Sequence, residues 1–334
     1  MKHLGRAAGS EVMAAVVLLR HVRNAVLALV ALAGGCASDP AMESASAGDC
    51  VRSDEAVAAT PLAPIRTFLE EGAPHELAAR SFGSLIRPQQ VATSPGAVFV
   101  ADIGLRRILR VDPVRSTFVP LLFLEERPAG LAVDRMQTLY VAFPGSRRVV
   151  QVRADGQVTG VFQDPAGRYV PVDVAVSEAG RIFVADQINA RVLVFNRLGQ
   201  VVDSIGERGD RPNPFASVDA LWFDGIDLYV LDATGRKVFL IGGGGRSRLI
   251  ALDEPVGLPI AIAADRWQRV FIADRASGKV IVYDPASPAP SGPLVGMPAV
   301  QDLADIWIDD FDVLHVADAA TASVLLYRIA SPCQ

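Results

Sequence analysis

Arg181-Ile182-Phe183-Val184-Ala185-Asp186-Gln187-Ile188-Asn189-Ala190-Arg191-Val192-Leu193-Val194-Phe195 is the stretch on which the fold of this chain turns. An apolar run ends at an aspartate, four loop residues follow, and a second apolar run opens on an arginine. Two short strands around a tight polar loop read as a β-hairpin. The phrase that ends the first strand returns along the chain. It stands at Val100-Ala101-Asp102, Val141-Ala142-Phe143, Val230-Leu231-Asp232, Ile272-Ala273-Asp274 and Val316-Ala317-Asp318. Subtracting successive final positions gives spacings of 41, 43, 46, 42 and 44 residues. A period near 40–45 residues in β-rich sequence is that of propeller blades, each of about four strands.

A second regularity supports the first. Five residues after each final position stand Arg107, Arg148, Arg191, Lys237, Lys279 and Ser323, and the residue after that is β-branched in every unit. Ahead of each phrase lies another apolar run, such as Leu131-Ala132-Val133 or Ile306-Trp307-Ile308, separated from it by turn formers such as Pro95-Gly96 and Asp224-Gly225. One unit thus reads as inner strand, turn, second strand ending in Asp, short loop, third strand opening on a basic residue, and outer strand. The fold class expected is all-β: a six-bladed β-propeller of four-stranded antiparallel blades over residues 64–334. The pattern resembles the NHL repeat, with Asp186 to Arg191 as its best copy, over about residues 76–329. That resemblance implies the propeller fold and assigns no function.

The sixth unit runs out after its third strand, Val324 to Arg328, so its outer strand must come from the N-terminal side, because an open edge is a liability. Glu76 to Gly83 matches the outer strand Gly199 to Gly206 in its Ser-apolar-Gly ending and is expected to close the ring.

Before the propeller, Arg20, His21 and Arg23 precede the apolar run Ala25 to Ala33, which ends at Gly34-Gly35-Cys36. A basic segment, a short apolar run and small residues make a secretory signal, here 1–35. Leu32-Ala33-Gly34-Gly35-Cys36 resembles a bacterial lipobox, which implies lipidation of Cys36 and a chain held on the cell envelope. Ala37 rather than Asp implies the outer membrane if the host is Gram-negative. Residues 36–63, rich in Ala, Ser, Asp and Pro, read as a flexible tether. Of the three cysteines, Cys50 and Cys333 remain as a possible disulfide in an oxidising compartment. A net charge of −5 removes the simplest argument for nucleic acid.

The repeated aspartates Asp102, Asp186, Asp232, Asp274 and Asp318 are expected to cap their hairpins and to pair with the basic residue five positions on, since one active site rarely needs five copies. Arg106, Arg107, Arg147, Arg148 and their counterparts should share one face. The channel mouth on that face, counted by register, is lined by Gln90, Gly130, Asp173, Ala220, Ala261 and Asp305, with Asp219 and Asp302 adjacent. The longest connection, 207–215, carries Arg208, Arg211 and Asn213; with 164–169 it is the place expected to hold specificity. Candidate binding residues are therefore Gln90, Asp173, Asp219, Asp305, Arg208, Arg211 and Asn213. Histidines are scarce, His315 falls inside a strand, and there is neither a nucleophile elbow nor a phosphate-binding glycine loop. The sequence is read as a monomeric, non-catalytic binding or scaffold module without metal or cofactor, anchored to the membrane by lipid. Its expected partner is a protein, peptide or surface glycan. The alternative is a hydrolase or lyase using a metal or carboxylates, Asp173 and Asp305, at the channel mouth.

Overall fold

A computed structural model describes residues 50–51, 59–62, 85–112, 117–206, 213–242, 247–252, 256–285, 291–295 and 297–332, with backbone alone at 50–51, 59–62 and 332. The signal segment, Cys36, the segment 76–83, Arg208, Arg211 and Cys333 lie outside these residues. The described chain is an all-β propeller of six four-stranded antiparallel blades.

Blade 3 shows the unit: Pro171–Val176 innermost, then Ile182–Asp186, Arg191–Phe195 and Val201–Ile205, each paired with the next. The inner strands of the other blades are Pro88–Ser94, Gly130–Val133, Ala220–Phe223, Pro259–Ala264 and Leu303–Ile308. The second strands, such as Ala97–Asp102 and Val270–Asp274, are buried at every residue in four blades and at all but the first residue in the other two, Asp227–Asp232 and Val313–Asp318. They are covered by a blade on each face, which is why they read as continuous apolar runs and not as alternation. The outer strands show the opposite: Val158–Phe162 and Ser247–Ala251 are largely open to water.

Packing between neighbouring blades supplies the core. Ala132, Tyr140, Val149, Tyr169, Val184 and Phe195 join blades 2 and 3. Val91, Val100 and Leu109 of blade 1 pack on Ala317, Val324 and Leu326 of blade 6, so the ring closes on apolar contact. Each fully buried Val or Leu contributes about 1.5–3 kcal/mol, which makes this seam a substantial part of the closure.

The edge of blade 6 corrects the expected closure. Its outer strand is Ala59–Leu62, antiparallel to Ser323–Ile329 with Ala59 opposite Ile329 and Leu62 opposite Leu326. These residues sit inside the stretch read as tether, as does Cys50–Val51, which pairs in parallel with Ser331–Pro332. Pro61 can stand there because an outermost strand needs no ladder donor on its free side.

All six second-to-third-strand hairpins place their fourth loop position at positive φ: Arg106, Arg147, Ala190, Arg236, Gly278 and Ala322. In three of them the carbonyl at this position holds the following connection: Arg106 O accepts from Leu124 N, Arg236 O from Leu252 N and Gly278 O from Val300 N. The blade-to-blade connections and these hairpins share one side of the ring, the connector face. The inner-to-second-strand turns occupy the other, the hairpin face.

Candidate functional site: the central channel

The repeated aspartates are almost completely buried, from 0% to 3% exposed. Each accepts from two directions. Asp102 takes Ile86 N at 2.7 Å and Arg87 N at 3.0 Å from the strand entry, and Leu105 N at 2.9 Å from its own hairpin. Asp274 likewise takes Leu258 N at 2.6 Å, Gly257 N at 3.1 Å and the Ser277 hydroxyl at 2.6 Å. Burial raises the Asp274 carboxyl, but these donors outweigh it and leave the group below the usual carboxylate range. The aspartates therefore bolt the entry of each blade to its hairpin. The expected ion pair with the residue five positions on is present at Asp186 and Arg191, 2.8 Å; Lys237 and Lys279 form none among the described residues. Blade 2 has Phe143 in place of the aspartate and meets the same need from the other side. Glu126, in the strand entry, accepts from Ser146 N at 2.9 Å, and a Cβ on Gly145 would lie 2.5 Å from its Oε2.

Arg106 donates to the carbonyls of Leu124 and Glu125, Arg147 to that of Gly167 and Arg236 to that of Val256. These arginines tie hairpins to connections. Asn213 is spent in the same way: its Nδ2 donates to Ala190 O at 2.8 Å and its Oδ1 accepts from Phe215 N at 3.0 Å, which seats Phe215 against Phe239 at 4.8 Å between ring centres. Asp219 accepts from Ala233 N at 2.9 Å and from the Ser217 hydroxyl. Asp302 is held by Arg275 at 3.1 Å (Nε) and faces Arg87 at 3.8 Å.

The six positions counted for the channel share one register. Gln90, Gly130, Asp173, Ala220, Ala261 and Asp305 stand opposite Ala101, Ala142, Ala185, Leu231, Ala273 and Ala317, the same position in each blade. A register shift just before this position in blades 1, 3, 5 and 6 re-aims the side chain. Asp173 Oδ2 accepts from Leu221 N of blade 4 at 2.7 Å, and its Oδ1 from its neighbour Val174 N at 2.8 Å. Asp305, three blades away, accepts from Val91 N of blade 1 at 2.9 Å. Gln90 Nε2 donates to Ala129 O at 3.2 Å. These three side chains staple the inner strands of blades 1, 3 and 6 to the next blade. Gly130 is required by Asp173: a Cβ there would come within 2.5 Å of its Cα and Oδ1. Burial pushes the Asp173 carboxyl up to about 7 against the pull of the two N–H donors. Asp305 is also pushed well up by burial, the nearby charge of Asp173 adding to it and Val91 N opposing it.

Two positions further along the inner strands, the row reads Ala92, Ala132, Ala175, Trp222, Ala263 and Trp307. Four small residues leave room for two indoles, and Trp222 and Trp307, from blades that are not neighbours, meet with ring centres 4.7 Å apart at 71°. The pair plugs the channel. Trp307 also packs against the cores of blades 1 and 2 and of blades 6 and 1. Beyond the plug, a recess of about 1260 Å³ opens on the hairpin face, with the two indoles among its lining and Asp134, Asp224, Asp309 and His315 around it. His315, expected as a packed strand residue, is 3% exposed, and its Nε2 lies 3.0 Å from Asp309 Oδ2. The tryptophans and this turn-side set were not singled out in the sequence. Extending the register count by two and four positions reaches them.

Comparison with known proteins places the same fold around this channel. A family described as a 6-bladed beta-propeller matches residues 171–242. A catalytically inactive virginiamycin B lyase from Staphylococcus aureus with quinupristin is 13% identical, with a TM-score of 0.55, covering 76% of this chain and 82% of its own. A gluconolactonase from Xanthomonas campestris is 20% identical, TM-score 0.55, covering 83% and 99%. The hydrazine synthase of Kuenenia stuttgartiensis is 15% identical, TM-score 0.53, covering 73% and 96%. At these identities the likeness is one of fold. No curated protein matches the chain.

Proposed function

We propose that this propeller is a non-catalytic binding module, held on the bacterial envelope surface by a lipid on Cys36 and presenting its hairpin-face recess to a protein, peptide or glycan partner. The observation that carries the reading is the plugged channel. Trp222 and Trp307 close it, and the carboxylates on the connector side, Asp173 and Asp305, are already engaged with backbone N–H groups of the next blade. What remains open is a broad recess with an aromatic floor, a setting for recognition. A Cys50–Cys333 disulfide and an outer-membrane location belong to the same proposal; the pairing of Cys50 with Ser331 brings the backbone at residue 50 to within two positions of Cys333 in sequence.

The test is photo-crosslinking in cells from position 136, at the recess, and from position 188, on the connector face. A discrete adduct from position 136 is expected. Adducts from position 188 alone, or from neither, overturn the choice of face and of function respectively. Cys36→Ser is expected to release the chain from the membrane fraction.

A second reading, a hydrolase or lyase at the channel mouth, draws on one observation: two carboxyls on opposite blades are both raised by burial above the usual carboxylate range, as in acid–base pairs. Two of the propellers of similar fold are a lyase and a gluconolactonase. Stoichiometric, tightly held metal in the purified chain would favour this reading.

A further inference from the structure

The turns on the hairpin face alternate around the ring. Blades 2, 4 and 6 each place an aspartate at the start of the turn and a large apolar residue two positions later: Asp134 with Met136, Asp224 with Ile226, Asp309 with Phe311. Blades 1 and 3 carry Ser94 with Gly96 and Ser177 with Ala179 at the same places. Blade 5 also has the aspartate and a large residue, Asp265 with Trp267, but Asp265 is neutralised by Arg269 at 2.6 Å, and Trp267 is half-buried beneath the guanidinium groups of Arg266 and Arg269, outside the recess lining. Met136, Ile226 and Phe311 are 69%, 72% and 71% exposed, and all three line the recess. The turn geometry does not need them, because the aspartate oxygen captures the backbone N–H at that position whatever its side chain. Gly96 and Ala179 fill it without any apolar bulk. Three large apolar side chains displayed at every second blade around one opening mark an interaction surface.

The charge of the recess selects among partners. Its lining holds seven carboxylates against three arginines. Two of those arginines are already paired, Arg135 with Glu178 and Arg266 with Asp312, each at 2.8 Å. Among the described residues no lysine or arginine pairs with Asp134, Asp224, Asp309 or Asp310. An acidic peptide or an anionic glycan would meet like charge here; a cation would meet carboxylates around two indole rings, a setting that also favours cations through the ring faces.

Two side chains of the lining, both more than nine-tenths buried, carry polar atoms without a partner: Trp222 Nε1 and His315 Nδ1. With Asp309 accepting at His315 Nε2, the neutral imidazole leaves a lone pair at Nδ1. Both atoms lie beneath the surface of the recess and make its floor polar. A lone amine would leave Met136, Ile226 and Phe311 uncovered, whereas a peptide segment carries a cation and apolar neighbours together.

We propose that the recess receives a basic, partly apolar peptide segment of a partner protein. An arginine or lysine side chain enters toward Trp222 and Trp307, and its apolar neighbours rest on Met136, Ile226 and Phe311. This rests on the reading of the chain as a binding module and goes beyond it by fixing the chemistry of the ligand.

The test uses the full chain and two fluorescein-labelled peptides, one alternating Arg and Leu and one alternating Glu and Leu, read by fluorescence polarisation. The Arg peptide is expected to bind at least about tenfold tighter and to weaken as salt is raised from about 20 to about 200 mM. Asp134→Asn, which keeps the oxygen that caps its turn, and Asp310→Asn are each expected to weaken it by about threefold or more. Asp203→Asn, on the outer strand of blade 3, is expected to change nothing. Equal binding of the two peptides, or wild-type affinity in both recess variants, overturns the proposal. An adduct from position 136 in cells together with equal peptide binding removes the ligand class and leaves the binding module standing. Charge-dependent peptide binding without any cellular adduct upholds the recess chemistry and removes the module.

Discussion

Asp173→Asn should change sign with pH. In the folded chain the Asp173 carboxyl is pushed up to about 7 by burial, from 3.8 in the open chain. Between those values the folded state holds a proton that the unfolded state has released, so this residue lowers stability as pH rises through the window. Three units at about 1.4 kcal/mol each amount to about 4 kcal/mol lost between pH 4 and pH 8. Asparagine carries no such penalty. It does, however, replace one of the two oxygens that accept from Leu221 N and Val174 N with a donor, at about 1–3 kcal/mol. The variant is therefore expected to be less stable than wild type at pH 4.5 and more stable, by about 1–3 kcal/mol, at pH 8.5. The assay is urea unfolding followed by tryptophan fluorescence at half-unit pH steps. Subtracting the two curves isolates position 173 together with the part of the Asp305 shift that the Asp173 charge causes, because groups not coupled to Asp173 appear equally in both. A difference curve flat to within about 1 kcal/mol, or one that rises in the opposite direction, would refute the argument that burial dominates this carboxyl.

Trp307→Ala removes half the plug and should cost about 3–5 kcal/mol; by admitting water to the connector side it should also flatten the pH dependence attributed to Asp173, measured by the same titration. Glu126→Ala leaves Ser146 N without its acceptor and should lower stability by about 1–2 kcal/mol, whereas Glu126→Gln, which retains an oxygen, should recover most of it in thermal unfolding. Gly130→Ala should destabilise by more than about 2 kcal/mol in urea unfolding, because its Cβ would overlap Asp173. If Cys50 and Cys333 are bonded, mass spectrometry of the non-reduced chain will show them linked, and reduction should cost about 4–5 kcal/mol for so long a loop; free alkylation of both cysteines would dismiss the bond.

The blade count was legible because a repeat writes the same physical problem six times, and one readable copy at Asp186 to Arg191 decoded the rest. Closure was placed on the wrong residues for a definable reason. Glu76 to Gly83 carries the pattern of a long outer strand, but the strand used is four residues, Ala59–Leu62, containing a proline and no alternation. Outer strands bury little, so selection leaves little pattern in them. The aspartates cap their hairpins as expected and Asp186 pairs with Arg191; their bonds to the strand entry were not legible, since sequence displays neighbouring side chains and hides backbone N–H groups. The channel positions followed from register, and their work as staples did not, because it depends on donors from the adjacent blade. Asn213 stood out as an exposed polar loop residue and proved to be an anchor for Phe215. Trp222 and Trp307 look like ordinary strand residues until the alanines on the other four blades are set beside them.

That pair of indoles stands across the axis between two different settings: the recess lies on one side, and Asp173 and Asp305 lie outside its lining on the other. A ligand seated in the recess would meet the rings before it met either carboxyl. Each surface of the disc can then drift in sequence under its own selection, with the tryptophans answerable to both.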